Sequence, residues 1–339
     1  MELKRVAIDT SKSVFTLHGV DAQDHPVLRR DLRRAQVERF FTELAPTEVV
    51  LEACGGSHHW ARTLQALGHR VRLIPPHYVK PFVKRGKTDR NDAEAISEAA
   101  SRPSMRSVPI KSAEQQAQAM RLSARELLIS QRTQLINALR GHAAEFGVVA
   151  AKGTDQVAGL LAAVAEPGAV PPAAREVLEM LGRQIDQLNG EITEIDRTLV
   201  AQHKADPVSR LLAGIPGVGP ISALTLALRV DPAHFETGRH FAAWLGLTPR
   251  ERSTGGKQRL GGISRAGDER LRQLLVLGAT AVIQHAKPGR PGASAWLLRL
   301  LERRPRKLAA VALANKMARI AWAMMTSGEA YRRPSPAAV

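Results

Sequence analysis

Four carboxylates, Asp9, Glu52, Asp89 and Asp92, stand in a chain of 339 residues whose formal net charge is +17. A cation of that size suits a polyanion, and acids within it are badly placed to touch phosphate directly, because like charges repel. The conflict disappears if divalent cations lie between the acids and the phosphate. All-oxygen ligands of this kind suit Mg²⁺, which a few carboxylates and a substrate phosphate can hold together. Two such ions about 4 Å apart could activate an attacking oxygen and stabilise a leaving one. Each acid taken singly has a plainer reading as a solvated surface group, and Asp89 alone could be a helix N-cap. The four together read as metal-dependent chemistry on nucleic acid.

A second reactive stretch, PRERSTGGKQRLGGISRAGDERLR, occupies residues 249–272. Ser253 is followed by Thr254, Gly255, Gly256 and Lys257, with Arg250, Arg252 and Arg259 close by. Glycines let a backbone approach a phosphate, and the cations neutralise it and could stabilise developing negative charge. The Ser253 hydroxyl could attack a DNA phosphorus and hold the strand covalently. It could equally be a phosphate-binding loop whose serine only hydrogen-bonds. The P-loop pattern is not matched. Upstream, LLAGIPGVGPISALTLAL (211–228) places Gly217 and Gly219 between two apolar runs. That is the look of a helix-hairpin-helix, whose amides bind backbone phosphate, or of a tight interhelical turn.

The elements that must carry these residues follow from periodicity. Short strands are expected over 6–9, 15–20, 27–32, 48–53 and 70–75, with helices over 35–45, 58–67 and 89–100. Gly68 sits where a helix C-cap glycine belongs, and Pro75 and Pro76 stop the last strand. A basic loop, VKRGKT, leads into the helix that begins near Asp89. The first and fourth strands are expected to be neighbours, so that Asp9 and Glu52 converge at their ends. Asp89 and Asp92, three apart on a helix, share a face. Three strands, helix, strand, helix, strand, helix is the order of an RNase H-like α/β domain.

Residues 112–146 then show a helical pattern with Met120, Ala124, Leu128, Leu135 and Leu139 on one side. An Ala-, Gly- and Pro-rich stretch (150–174) interrupts it. Next, Val177, Leu181, Ile185, Leu188, Ile192, Ile195 and Leu199 recur at heptad spacing. The seam fits a dimerising coiled coil and an ordinary amphipathic helix of a bundle equally well. From about Ser209 to Tyr331 the chain reads as helical with Gly-rich connections. The expected domains are therefore 1–105 (α/β), 106–205 (helical, coiled coil) and 206–332 (mainly α).

Charge and composition narrow the partners. From Arg239 onward there are 19 Lys and Arg against 5 Asp and Glu, a net of +14, which marks the C-terminal third as the main nucleic-acid-facing surface. No uninterrupted run of about 18 apolar residues appears, so a membrane span is not expected. The opening residues lack a signal-peptide pattern, and the single Cys54 excludes an intrachain disulfide and a cysteine-based zinc cluster. A cytoplasmic, nucleoid-associated protein is expected.

With both centres identified, the chain resembles the DEDD-type transposases of the IS110 insertion-sequence family throughout its length. The resemblance is carried by AIDTSKSVF around Asp9, LEACGGSHHWARTLQALGH around Glu52, and LIPPHYVKPFVKRGKTDRNDAEAI around Asp89 and Asp92. It continues through LAGIPGVGP, GLTPRERSTGGKQRLGGISRAGDERLRQLL and ALANKMARIAWAMM. It implies an RNase H-like (Holliday-resolvase-like) domain, a coiled coil and a C-terminal transposase domain. It further implies that Asp9, Glu52, Asp89 and Asp92 bind Mg²⁺ and that Ser253, rather than the adjoining Thr254, forms a 5′-phosphoserine link to DNA. The implied partners are double-stranded donor and target DNA, a noncoding bridge RNA that guides both, and further copies of the chain. These would form a dimer, or a tetramer in the synaptic complex, with active sites shared between subunits. A junction nuclease that uses water would need the acids but not Ser253, and a purely binding protein would need neither.

Overall fold

The computed structural model describes residues 3–84, 86, 88–287 and 294–332. Arg85 and Lys87 of the basic loop lie outside the described residues. Contacts divide the chain into two compact units, Met1–Ala117 and Gln118–Val339.

The first unit is mixed α/β. Its elements are β1 (Arg5–Thr10), β2 (Val14–Val20), β3 (Pro26–Arg33), α1 (Val37–Thr42), β4 (Glu48–Glu52), α2 (Ser57–Ala66), β5 (Arg70–Ile74), α3 (Pro76–Val79) and α4 (Asp89–Ser101). The sheet order is β3-β2-β1-β4-β5. β1, β2 and β3 pair antiparallel, whereas β1–β4 and β4–β5 are parallel. The strand and helix expectations meet these elements to within a few residues. As anticipated, Gly68 adopts φ +91° just after α2. Its N–H donates to the Gln65 carbonyl and that of His69 to the Leu64 carbonyl, the paired closure of a Schellman motif.

Alternation of side chains gives the sheet two buried faces. Val6, Ile8, Val49, Leu51 and Leu73 pack with Phe41, Trp60 and Leu64 from α1 and α2. Ala7, Val50 and Ile74 pack on the opposite face with Ile96, Ala99 and Ala100 of α4. This three-layer sandwich fixes where the acids point. Asp9 follows Ala7 by two residues and Glu52 follows Val50 by two, so both face the α4 side at the carboxyl ends of parallel strands.

The second unit is mostly helical, and the unit boundary falls inside α5 (Ala113–Ala144). α5 and α7 (Pro172–Ala205) form an antiparallel pair, and α6 (Val157–Ala165) packs with them. Arg125 of α5 is ion-paired with Asp196 of α7. Seven residues further along α5 and seven back along α7, the Arg132 guanidinium donates to Asn189 at 2.9 Å. The heptad residues Ile185, Ile192 and Leu199 are buried, as is Leu178, whereas Val177 is 48% exposed. The inward line therefore starts one residue later than the spacing suggested. On α5, Leu122 rather than Met120 is the buried position. The Ala/Gly/Pro-rich stretch is not only a break, because α6 lies within it and sets Leu161 against Gly182.

The remaining elements are α8 (Pro207–Leu212), α9 (Pro220–Arg229), α10 (Gly238–Trp244), β6 (Pro249–Glu251), β7 (Leu260–Ile263), α11 (Glu269–Gln284), α12 (Ala295–Arg303) and α13 (Arg306–Ser327). The expectation of helices with glycine connections needs one correction, since β6 and β7 form an antiparallel hairpin. Among the described residues α13 is long and apolar enough to cross a membrane by length and composition. Ala309, Ala314, Met317, Ala318 and Ala321 instead bury it at the centre of the core formed with α9, α10 and α11.

Two glycines allow that core to close. A Cβ on Gly278 of α11 would stand 1.9 Å from the Gly217 carbonyl oxygen, and one on Gly217 would stand 2.6 Å from that of Gly278. Gly278→Ala should therefore lower stability by about 1–3 kcal/mol in thermal melts, as forced overpacking does. Gly190→Ala on α7, where a Cβ meets nothing within 4 Å, should raise stability by about 0.5–1 kcal/mol.

Candidate active site

The first unit brings its acids together from two directions. Asp9 ends β1, Glu52 ends β4, and Ile8 and Leu51 just before them are paired in register. Asp89 and Asp92 occupy the first turn of α4. Asp89 is not the cap. Thr88 takes that place, its hydroxyl accepting from the Asn91 N–H at 3.2 Å. Both aspartates continue the stripe by which Ile96 and Ala100 bury α4 against the sheet, so packing of the helix aims them at the strand ends. The helix dipole favours carboxylates in that turn.

Carboxylate oxygens of Asp9, Asp89 and Asp92 all lie within 4.8 Å of one another. Glu52 stands beside this triad, and its charge is felt at Asp9. The Asp9 carboxyl is pushed up from 3.8 to about 6, first by burial and then by Asp92, Asp89 and Glu52. A set of hard oxygen donors whose mutual repulsion opposes ionisation is what a divalent cation relieves. The residues present fit such an ion.

The second centre is a hairpin. β6 and β7 pair through Pro249 with Ile263 and Glu251 with Leu260, and a further bridge joins Thr254 to Lys257. Gly255 and Gly256 make the turn with φ +56° and +74°, the two positive values of a type I′ turn. Their first use is thus conformational, and a Cβ on either would meet nothing within 4 Å. Ser253 is exposed and lies between the end of β6 and this turn. Its Oγ–H donates to Glu251 Oε1 at 2.8 Å, and the Arg259 N–H donates to Ser253 Oγ at 3.1 Å.

A cavity of about 670 Å³ on the hairpin is lined by Arg250, Arg252, Arg259 and Arg265, with Gly261 and Gly262 between them. Its base is tied down. The buried Arg272 of α11 donates to the carbonyls of Leu245 at 2.9 Å and Ala266 at 2.7 Å, on either side of the hairpin. Gly246 and Gly267 let those flanks approach, for a Cβ on Gly267 would stand 1.9 Å from the Trp244 carbonyl oxygen. Glu251, Arg265 and Arg272 were not singled out from the sequence. A lone acid two residues from the serine was the available signal for the first.

The other candidate phosphate site divides. Gly217, at φ +87°, is committed to packing against Gly278, whereas Gly219 is exposed just before α9.

Two family models cover these two centres separately. One, described as a transposase of the DEDD type and named for IS110, matches residues 6–147. The other, described as "Transposase IS116/IS110/IS902 family", matches residues 209–292. Over 98% of this chain, it is 48% identical to a Pseudomonas aeruginosa protein named "Probable family 20 transposase", covering 99% of that protein. It is 40% identical, again over 98% of its length, to 92% of the "Transposase for insertion sequence element IS1111A" of Coxiella burnetii. A Sinorhizobium fredii relative, y4pF/y4sB, is 54% identical over 98% of this chain and 86% of its own.

The chain belongs to the IS110 transposase family. Its acids and its serine hairpin thus fall in two separately recognised parts of a transposase, an enzyme that cuts and rejoins DNA.

The Asp9 pKa sets the sign of a pH effect. Raised above its unfolded value of 3.8, it leaves the native state with more bound protons between about pH 4 and 6. Its contribution to stability is fully present below 3.8 and is lost as pH rises through about 6. In chelator, the melting temperature should therefore fall over that window, and Asp9→Asn should melt higher than wild type at pH 7.5. Divalent cation should restore the wild type and leave Asp9→Asn little changed.

Proposed function

We propose that this transposase is an RNA-guided DNA recombinase that excises and inserts its own element through a 5′-phosphoserine intermediate. The observation that carries the reading is Ser253, exposed on a hairpin beside four arginines, with its hydroxyl already held by a donor and an acceptor. Arg250, Arg252, Lys257 and Arg259 would hold the DNA backbone, with Gly255 and Gly256 keeping the turn narrow and Gly217 and Gly219 serving the helix-hairpin-helix.

Asp9, Glu52, Asp89 and Asp92 would hold Mg²⁺, which when bound polarises a phosphoryl oxygen as a Lewis acid. Ser253 Oγ attacks phosphorus, and the strand stays attached to the protein. Because one phosphodiester replaces another, exchange needs no nucleotide cofactor.

The RNase H-like reading of the first unit is supported by its β3-β2-β1-β4-β5 order and by acids at the ends of β1 and β4. The α5–α7 pair with its heptad line supports a coiled-coil region over 106–205, between a catalytic domain (1–105) and a transposase domain (206–332). Bridge RNA, donor and target DNA, and dimers or tetramers that share active sites are the partners this family resemblance suggests. The C-terminal net charge of +14 favours the nucleic acids. Such a protein would act in the bacterial cytoplasm at the nucleoid.

Full-length protein purified from cells carrying the whole element, mixed with Mg²⁺ and a duplex spanning an element end, should give a protein–DNA adduct on denaturing gels. Ser253→Ala should abolish it, and Asp9→Asn or Asp92→Asn should slow it by on the order of 100-fold or more. Free 5′-phosphate ends with no adduct would instead establish hydrolysis by water.

A further inference from the structure

Residues 249–267 contain five cations, Arg250, Arg252, Lys257, Arg259 and Arg265, and one acid, Glu251. An acid in a phosphate-binding segment works against the charge of its neighbours, so its place asks for a reason. Ion pairing does not supply one. Among the described residues, none of the ion pairs within 4 Å involves Glu251. Its hydrogen bond is to the Ser253 hydroxyl, with Oε1 2.8 Å from Oγ.

The hairpin enforces that contact. Glu251 closes β6 and Ser253 follows it by two residues, and their side chains meet at 2.8 Å. Glu251 is registered opposite Leu260, and the Arg252 N–H donates to the Arg259 carbonyl at 2.9 Å. Across the strand the Arg259 N–H reaches Ser253 Oγ at 3.1 Å. The hydroxyl proton thus points at a carboxylate while one lone pair meets an amide donor. A nucleophilic hydroxyl needs an acceptor for its proton, and the amide holds the oxygen in place beside that acceptor.

We propose that Glu251 is the general base that activates Ser253, an inference that rests on Ser253 being the nucleophile. The Glu251 carboxylate takes the Oγ proton as Oγ bonds to the DNA phosphorus. The bond from phosphorus to the neighbouring O3′ breaks, its electron pair stays on O3′, and that oxygen takes a proton from water. In rejoining, an incoming 3′-hydroxyl loses its proton to water, its oxygen bonds to phosphorus, and Oγ departs and recovers its proton from Glu251. The Arg259 N–H holds Oγ in place in both directions. The carboxylates of the first unit are then left to act on the phosphate rather than on the serine proton.

Single-turnover adduct formation by the same full-length preparation tests this across pH 6–9, with DNA binding and melting temperature measured in parallel. Glu251 is exposed, so Glu251→Gln should melt like the wild type and, having lost a charge that repels phosphate, bind DNA at least as tightly. Its adduct rate should drop by on the order of 100-fold or more. The residual rate should climb steadily with pH, as hydroxide replaces the missing base, and Glu251→Asp should recover part of the loss. A Glu251→Gln rate within tenfold of wild type, with Ser253→Ala inactive, overturns the general base and leaves the serine standing. An adduct that survives in Ser253→Ala overturns the reading beneath it.

Discussion

Repulsion among three carboxylates is the constraint around which the first unit is arranged. Burial of Asp9 first, and then the charges of Asp92, Asp89 and Glu52, raise its pKa to about 6, so holding oxygens of Asp9, Asp89 and Asp92 within 4.8 Å of one another costs the native state free energy at neutral pH. The convergence is maintained by apolar packing. Ala7 and Val50, two residues before Asp9 and Glu52, lock the strand ends against Ile96 and Ala100 of α4. The same helix carries Asp89 and Asp92 in its capped first turn. Stability gained in the sheet and helix core is used to hold a site that a cation, not the protein, would relieve.

The serine hairpin is built on the opposite plan. It is exposed along nearly its whole length and has little core of its own. Its rigidity comes from its base, where Arg272 grips Leu245 and Ala266 and Asn315 of α13 donates to the Leu247 carbonyl at 3.2 Å. At the tip, the Gly255–Gly256 turn sets the strand register, and with it the alignment of Glu251, Ser253 and the Arg259 amide. An exposed hairpin bearing four arginines along it and at its end can approach a phosphodiester without first unpacking anything.

Much of the first unit was legible because its strands and helices are half-buried, and half-burial writes a period into the sequence. VAID, EVVLEA and RVRLIP alternate or run apolar for that reason, and Gly68 marked a helix end. The hairpin left no such trace. Pro249–Glu251 is exposed on every residue, so no alternation distinguishes it from a loop. The Gly-Gly pair flanked by Thr254 and Lys257 is the clue to a type I′ turn, but in sequence it looks the same as glycines that serve a phosphate contact. The α5–α7 seam was visible in period but displaced by a residue or two at its ends, since Leu122 and Leu178 answer to tertiary partners that spacing does not show. Ser253 and the four acids stand out as candidates in the sequence alone, whereas Glu251 and Arg272 become candidates only once the fold is seen.

The central claim is that Ser253 becomes bonded to DNA. Nuclease and trypsin treatment of the adduct, followed by fragmentation mass spectrometry, addresses it directly. Arg252 and Lys257 bracket the sequence STGGK, so residues 253–257 emerge as one short peptide. The expected result is a nucleotide joined through its 5′-phosphate to Ser253, present only when divalent cation is supplied. A nucleotide on Thr254, or an unmodified 253–257 peptide from a reaction that has exchanged strands, would contradict it.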